Sequence, residues 1–158
     1  MPLRLDTIDR QIVARLIADG RASASDISRS LSGVSQRAVR YRLQRLERYG
    51  VIRVGAVVDP HAIGLGVIAD VFIEVAPGAV QQVARHLVDL ERVSYVAASI
   101  GQGDLSIQVC AHDDAELARI VAEVVHAIPG VRSTRTVMVS RKFKDVHEWQ
   151  IPAAAVDD

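Results

Sequence analysis

The sequence predicts an α+β chain in which three helices precede a domain of order βαββαβ. Two observations carry this. In the first fifty residues, apolar side chains recur at helical spacing. Beyond Gly66, apolar runs of strand length alternate with two helical patterns, punctuated by Pro-Gly and Gly-x-Gly turns. The chain has 158 residues, 49% of them apolar, which suffices for two small cores.

The first helix rests on Ile8, Ile12, Val13, Leu16 and Ile17. Asp6 precedes it as an N-cap, Asp9 suits the positive helix start, and Gly20 ends it. A short second helix is capped by Ser23 or Ser25 and turns Ile27 and Leu31 inward, and Ser32-Gly33-Val34 then breaks the chain. The third runs from Ser35 to Gly50 with Val39, Leu43 and Leu46 on one face. At roughly 100° per residue, the opposite face carries Arg37, Tyr41, Gln44 and Arg48, flanked by Arg40 and Arg45. Glu47 is placed nearer the buried side.

Two helices joined by a short Gly-containing turn, the second one basic, form a helix-turn-helix. Net charge is zero for the whole chain. Residues 1–60, however, hold 11 Lys+Arg against 6 Asp+Glu, and residues 61–158 hold 8 against 13, so the halves are +5 and −5. A basic helix face without carboxylates suits double-stranded DNA, because guanidinium groups pair with phosphates and make paired bonds to guanine. Ser35, Gln36, Arg37, Arg40, Tyr41 and Gln44 are the expected contacts at or near bases. Arg45, Arg48 and Arg53 are the expected phosphate contacts, which add affinity but no sequence information. The alternative is a three-helix bundle with a solvated arginine face.

Residues 51–58 read as extended, either a wing or a linker strand, and end at Asp59-Pro60. The sheet domain then reads as strand Val67–Val75, a helix over residues 80–90, strands 93–100 and 105–111, a helix capped by Asp113 and reaching Ile128, and a last strand over 131–139. This is the ferredoxin-like order of two βαβ halves. Helices on one face leave the other to be covered. With both faces expected to be apolar, a symmetric homodimer through the sheet follows.

Gly101-Gln102-Gly103-Asp104 turns the chain between the second and third strands. On the residues alone, the glycines and aspartate satisfy turn geometry. The other reading is that bare N–H groups and the Asp104 carboxylate receive a small molecule with an ammonium group.

The segment from Ser35 to Ile52 resembles the recognition helix of the Lrp/AsnC regulators, through Ser35, Val39, Arg42, Leu43, Arg45-Leu46-Glu47, Gly50 and Ile52. Leu5-Asp6, Asp9, Ile12, Leu16 and Arg21 resemble that family's opening helix, and Asp59-Pro60 with Gly64 its interdomain link. The likeness extends to about Trp149. It implies a DNA-binding regulator that dimerises, builds tetramers or octamers, and takes an effector at a subunit boundary. The family's Gly-x-x-Asp effector motif falls on Gly101–Asp104, with Ser99, Ile100, Thr134 and Thr136 around the same pocket. The family often has an aromatic residue where Gly103 stands. The stretch from Ile27 to Ser35 is one residue longer than the family pattern, and Gly33 can absorb it.

The expected organisation is a (winged) helix-turn-helix domain at 1–50, a linker at 51–64, an effector-binding and oligomerisation domain at 65–149 and a flexible tail at 150–158, with Trp149 packing the C-terminal segment. No apolar run approaches the ~18 residues of a membrane span, the start lacks a signal-peptide layout, and Cys110 has no partner cysteine. A cytoplasmic protein without cofactor or metal is expected. Gly64-Leu-Gly66-Val-Ile-Ala69 fits a dinucleotide fingerprint but precedes a strand instead of opening a helix. No nucleophile–base pair or metal-ligand spacing is present, so an enzyme is not expected. The effector is expected to be an amino acid or related metabolite. The competing function is an architectural DNA-binding protein without an effector.

Overall fold

The computed structural model describes residues 3–101 and 103–156. Contacts between residues divide the chain into two units: Met1–Val57 with Phe143–Asp158, and Val58–Lys142.

The first unit contains α1 (Thr7–Ala18), α2 (Ala24–Ser30) and α3 (Gln36–Arg48). Each start is written in the sequence. Asp6 caps α1 and Ser23 caps α2, and both form reciprocal capping boxes, with Asp9 and Asp26. The Ser35 hydroxyl accepts the Ala38 N–H at the start of α3. That helix ends on Gly50 at φ +68, with the Val51 N–H bonded to the Leu46 carbonyl and the Gly50 N–H to that of Glu47, a Schellman cap. In the turn before it, Gly33 adopts φ +74, a left-handed backbone that costs glycine little. Ser28 closes the turn by donating to the Val34 carbonyl. Ile12, Ile27, Leu31 and Val39 form the small core, with Leu46 also fully buried.

Residues 51–58 join no sheet, and Arg53–Asp59 are exposed. A wing needs a second strand to receive its N–H and C=O groups, and among the described residues none pairs with this segment. In the C-terminal stretch, Trp149 departs from expectation. The described part of the tail is tied to α1, where Arg10 Nε donates to the Ile151 carbonyl at 2.9 Å. Trp149 packs little of its surface and is 61% exposed.

The second unit is the expected βαββαβ domain: β1 (Val67–Val75), α4 (Val80–Val88), β2 (Val93–Ala98), β3 (Leu105–Ala111), α5 (Asp114–Arg119) and β4 (Val131–Met138). A π-helical turn, Ile120–Val125, continues α5. The sheet is antiparallel throughout, in order β2-β3-β1-β4. Period-two alternation sends Ala69, Val71, Ile73 and Val75 of β1, and Leu105, Ile107, Val109 and Ala111 of β3, into one core. There they meet Val83 and Leu87 of α4 and Leu117 and Ile120 of the second helix.

The opposite sheet face is mixed, and the expectation of apolar residues on both sides fails. Asp70, Phe72 and Glu74 share that face of β1, because they alternate with the core residues. Their neighbours answer them: Gln108 donates to Asp70 at 3.1 Å, Ser133 to Glu74 at 2.8 Å, and the Arg135 guanidinium lies 4.7 Å from the centre of the Phe72 ring.

Candidate nucleic-acid interface and effector region

In α3, Val39 and Leu46 are the buried side chains and mark its inner side. Ser35, Gln36, Arg37, Arg40, Tyr41, Gln44 and Arg48 are all exposed, as is Arg53 in the linker. Tyr41 is 66% exposed and carries an apolar ring with a polar tip. The Arg48 guanidinium lies 5.3 Å from the Tyr49 ring centre. Glu47 is exposed as well, to one side of this row.

Arg45 is a correction. It does not stand free for a phosphate: its Nη2 donates to Asp9 Oδ2 at 2.5 Å, and its side chain is 25% exposed. The reason lies in Asp9, which is fully buried in the first turn of α1. A buried carboxylate needs both partners and counter-charge. Arg42, which sequence reasoning did not single out as functional, supplies the rest. Its Nη1 lies 2.7 Å from Asp9 Oδ1 and 2.8 Å from both oxygens of Asp6. Partial burial works to raise the Asp6 carboxyl, but the Asp9 N–H and the Arg42 guanidinium together hold it below its ordinary value. Burial likewise works against the Arg42 charge, and the two aspartates overcome it, leaving that guanidinium above its ordinary value. A signal was available in the sequence: two aspartates three residues apart at the start of one helix, and two arginines three apart in another.

In the second unit, the Ser99 N–H donates to the Asp104 carbonyl and closes the β2–β3 hairpin. Gly101 and Gly103 adopt φ +122 and +87. Ile100 is fully exposed and Ser99 half-buried. Gln102 lies outside the described residues. A Cβ at Gly103 would stand 3.4 Å from the Ile73 carbonyl oxygen and 3.5 Å from Phe72 Cβ. Those are ordinary contact distances, so it is the positive φ at Gly103 that favours glycine here. Asp104 is occupied by the fold. Its N–H donates to the Ile73 carbonyl at 2.9 Å, and its Oδ2 accepts the Val75 N–H at 2.8 Å. Asp104 thus serves the turn and the backbone of β1.

Thr134 and Thr136 are not gathered with this loop. They lie on β4, across β1 from it, and line a groove of about 570 Å³ with Met138 of the same strand, Asp114, Leu117 and Ala118 of α5, and Val121, Ala122 and His126 of the turn that continues it. Ala118 and Ala122 are small residues along the helix side of that groove. Among the described residues no His, Cys, Asp or Glu cluster suits a metal, and no helix is long and apolar enough to cross a membrane.

Comparison with known proteins agrees with this division. Residues 5–47 match the AsnC-type helix-turn-helix domain, and residues 68–149 match the Lrp/AsnC ligand binding domain. An uncharacterised HTH-type transcriptional regulator of Pyrococcus abyssi is 38% identical, over 93% of this chain and 90% of its own length. The leucine-responsive regulatory protein of Salmonella typhimurium is 30% identical, over 89% of this chain and 87% of its own. The structure of E. coli AsnC superposes with a TM-score of 0.83, covering 92% of this chain and 99% of that one at 19% identity, a likeness of fold.

Proposed function

The chain belongs to the Lrp/AsnC family of helix-turn-helix transcription regulators, and from that premise we propose that it binds double-stranded DNA sequence-specifically and answers to a small metabolite. The observation that carries the DNA part is the exposed row on α3: Gln36, Arg37, Arg40, Tyr41, Gln44 and Arg48 point outward while the remaining arginines of the helix are bound to aspartates. A helix of that width enters the major groove, and its N-terminal residues meet base edges. Arg37 and Arg40 are the principal base contacts; Arg48 and Arg53 meet phosphates.

The protein acts as a homodimer, with the sheet face bearing Asp70, Phe72, Glu74 and Arg135 as the surface between copies, and dimers build tetramers or octamers. Opposite charges on one face make it self-complementary about a two-fold axis. The site of action is the cytoplasm. The effector is an amino acid or a close relative. Its apolar part suits the groove between β4 and α5, with Thr134 and Thr136 as hydroxyl partners and the Asp114 carboxylate at the same groove as the partner for an ammonium group. That one relative is named for leucine agrees with an apolar side chain. A second reading, an architectural DNA-binding protein without an effector, is favoured by one observation: Asp104 already serves the backbone of β1.

Gel-shift assays with the Arg37→Ala/Arg40→Ala variant test the recognition helix. Specific binding is lost while the oligomer mass is unchanged; unaltered binding refutes the assignment. Thermal-shift screening against amino acids separates the two readings, since the architectural protein gives no hit.

A further inference from the structure

We propose that Asp9 is a positioning residue for DNA recognition: by holding Arg42 and Arg45, its buried carboxylate, together with Asp6, fixes the rotation of α3 about its own axis and so aims the exposed row at the bases. The inference rests on the reading of α3 as the recognition helix.

The four groups form a matched set. Asp6 and Asp9 stand three residues apart at the start of α1, and Arg42 and Arg45 three apart on the inner side of α3. Arg42 bridges both aspartates, and Arg45 reaches only Asp9. Contacts at two points along each helix fix both slide and rotation. The apolar contacts do not do this as sharply. Ile12, Val39 and Leu46 are buried by a non-directional force, and a small rotation of α3 leaves most of their burial intact. Hydrogen bonds between guanidinium and carboxylate weaken steeply when misaligned.

Two buried or half-buried arginines and a fully buried aspartate are a poor way to gain stability alone, because desolvation offsets much of the attraction. Orientation is what such a set supplies. With side chains, a helix has a radius of about 5–6 Å, so a rotation of about 10° moves the tips by about 1 Å. That is enough to take a donor out of range of a base edge, where paired bonds have fixed geometry. Phosphate contacts by long, mobile arginines survive the same displacement. Loss of the clamp therefore degrades discrimination more than overall affinity. The Nε of Arg45 is buried without a partner, which agrees with a side chain held for its Nη2 contact and not for its own solvation.

The test uses full-length Asp9→Asn and Asp6→Asn. The second keeps a good N-cap and removes only charge from the more exposed carboxylate. Dissociation constants are measured by fluorescence anisotropy on a duplex selected by the unsubstituted protein and on a scrambled duplex, between 50 and 200 mM salt. All measurements are made well below each variant's melting temperature. The expected result is a specific affinity reduced tenfold or more, with scrambled-duplex affinity within about threefold of the original. The salt slope stays unchanged, or steepens by about 0.9 for each arginine released to a phosphate. A merely structural role would lower the melting temperature and leave the specific-to-scrambled ratio in place. A ratio within threefold of the original in the folded variants overturns the proposal; if Asp9→Asn does not fold, Asp6→Asn decides. The Arg37→Ala/Arg40→Ala protein runs alongside: should it also keep full specificity, the reading of α3 has failed, and not the clamp alone.

Discussion

Arg45 and Arg48 stand one turn apart on α3, and the structure gives them opposite duties, so alanine at each should produce opposite phenotypes. Arg48→Ala removes an exposed side chain from the DNA face. Stability should change by no more than about 0.5 kcal/mol, as for other surface substitutions. The slope of log affinity against log salt should flatten by about 0.9, one phosphate contact. Arg45→Ala instead leaves the fully buried Asp9 with Arg42 as its one cationic partner. Removing one member of a buried ion pair costs about 3–5 kcal/mol, and the surviving Arg42 bonds place this case at about 3. A unit of this size loses roughly 4–8 °C for each kcal/mol, so its melting should fall by about 12–24 °C. Calorimetry reads the first quantity and anisotropy titrations at several salt concentrations the second. If Arg45→Ala flattens the salt slope as Arg48→Ala does and melts within a few degrees of the original, Arg45 reaches DNA and its inward assignment is wrong.

Two further outcomes follow from packing and charge. At Gly130, φ is +103, and an added Cβ would stand 2.9 Å from Ala79 Cβ and 3.2 Å from Val83 Cγ2. Backbone strain of about 1–3 kcal/mol and overpacking of about 1–3 kcal/mol should make Gly130→Ala about 2–6 kcal/mol less stable in urea unfolding, and a loss under about 1 kcal/mol would refute the geometry. The Asp6 carboxyl is held below its ordinary value in the fold, so its contribution is fully present above the unfolded pKa of about 3.9 and is lost as pH falls through the lower folded value. Asp6→Asn should remove that part of the acid sensitivity of the first unit, and identical acid-unfolding curves for both proteins would show that Asp6 carries none.

Much of the fold was legible because local chemistry and global packing agree. β1 and β3 were readable to the residue, since Pro77-Gly78, Gly101 and Asp113 bracket apolar runs that the core then buries. Boundaries slipped by a residue or two even beside a turn signal, and more where none exists. β2 ends at Ala98 and not Ile100, because Ser99 turns back to bond Asp104. The helix after Asp113 was expected to run unbroken, and its passage into a π-helical turn at Ile120–Val125 has no composition signature. The wing was unreadable for a different reason: a strand exists only if another strand receives its backbone, and period-two patterning cannot say whether one is near.

The candidate sites divide along the same line. Helical periodicity places a side chain on a face but does not say what it meets there. Arg40 and Arg45 flanked the predicted basic face on opposite sides, and only Arg45 found Asp9 within reach. That choice was made by α1, because Asp9 was forced inside by its place on the same helix as Ile12 and Val13. Once inside, a carboxylate without counter-charge would cost more than the small core around Ile12, Ile27, Leu31 and Val39 can repay. The arginines nearest α1 were therefore drawn inward, and those further round α3 were left for an outside partner. The division of the arginines on α3 into structural and DNA-facing groups is thus a consequence of one aspartate's burial. It follows that the basic row is best judged by which of its members have no carboxylate waiting for them on a neighbouring helix.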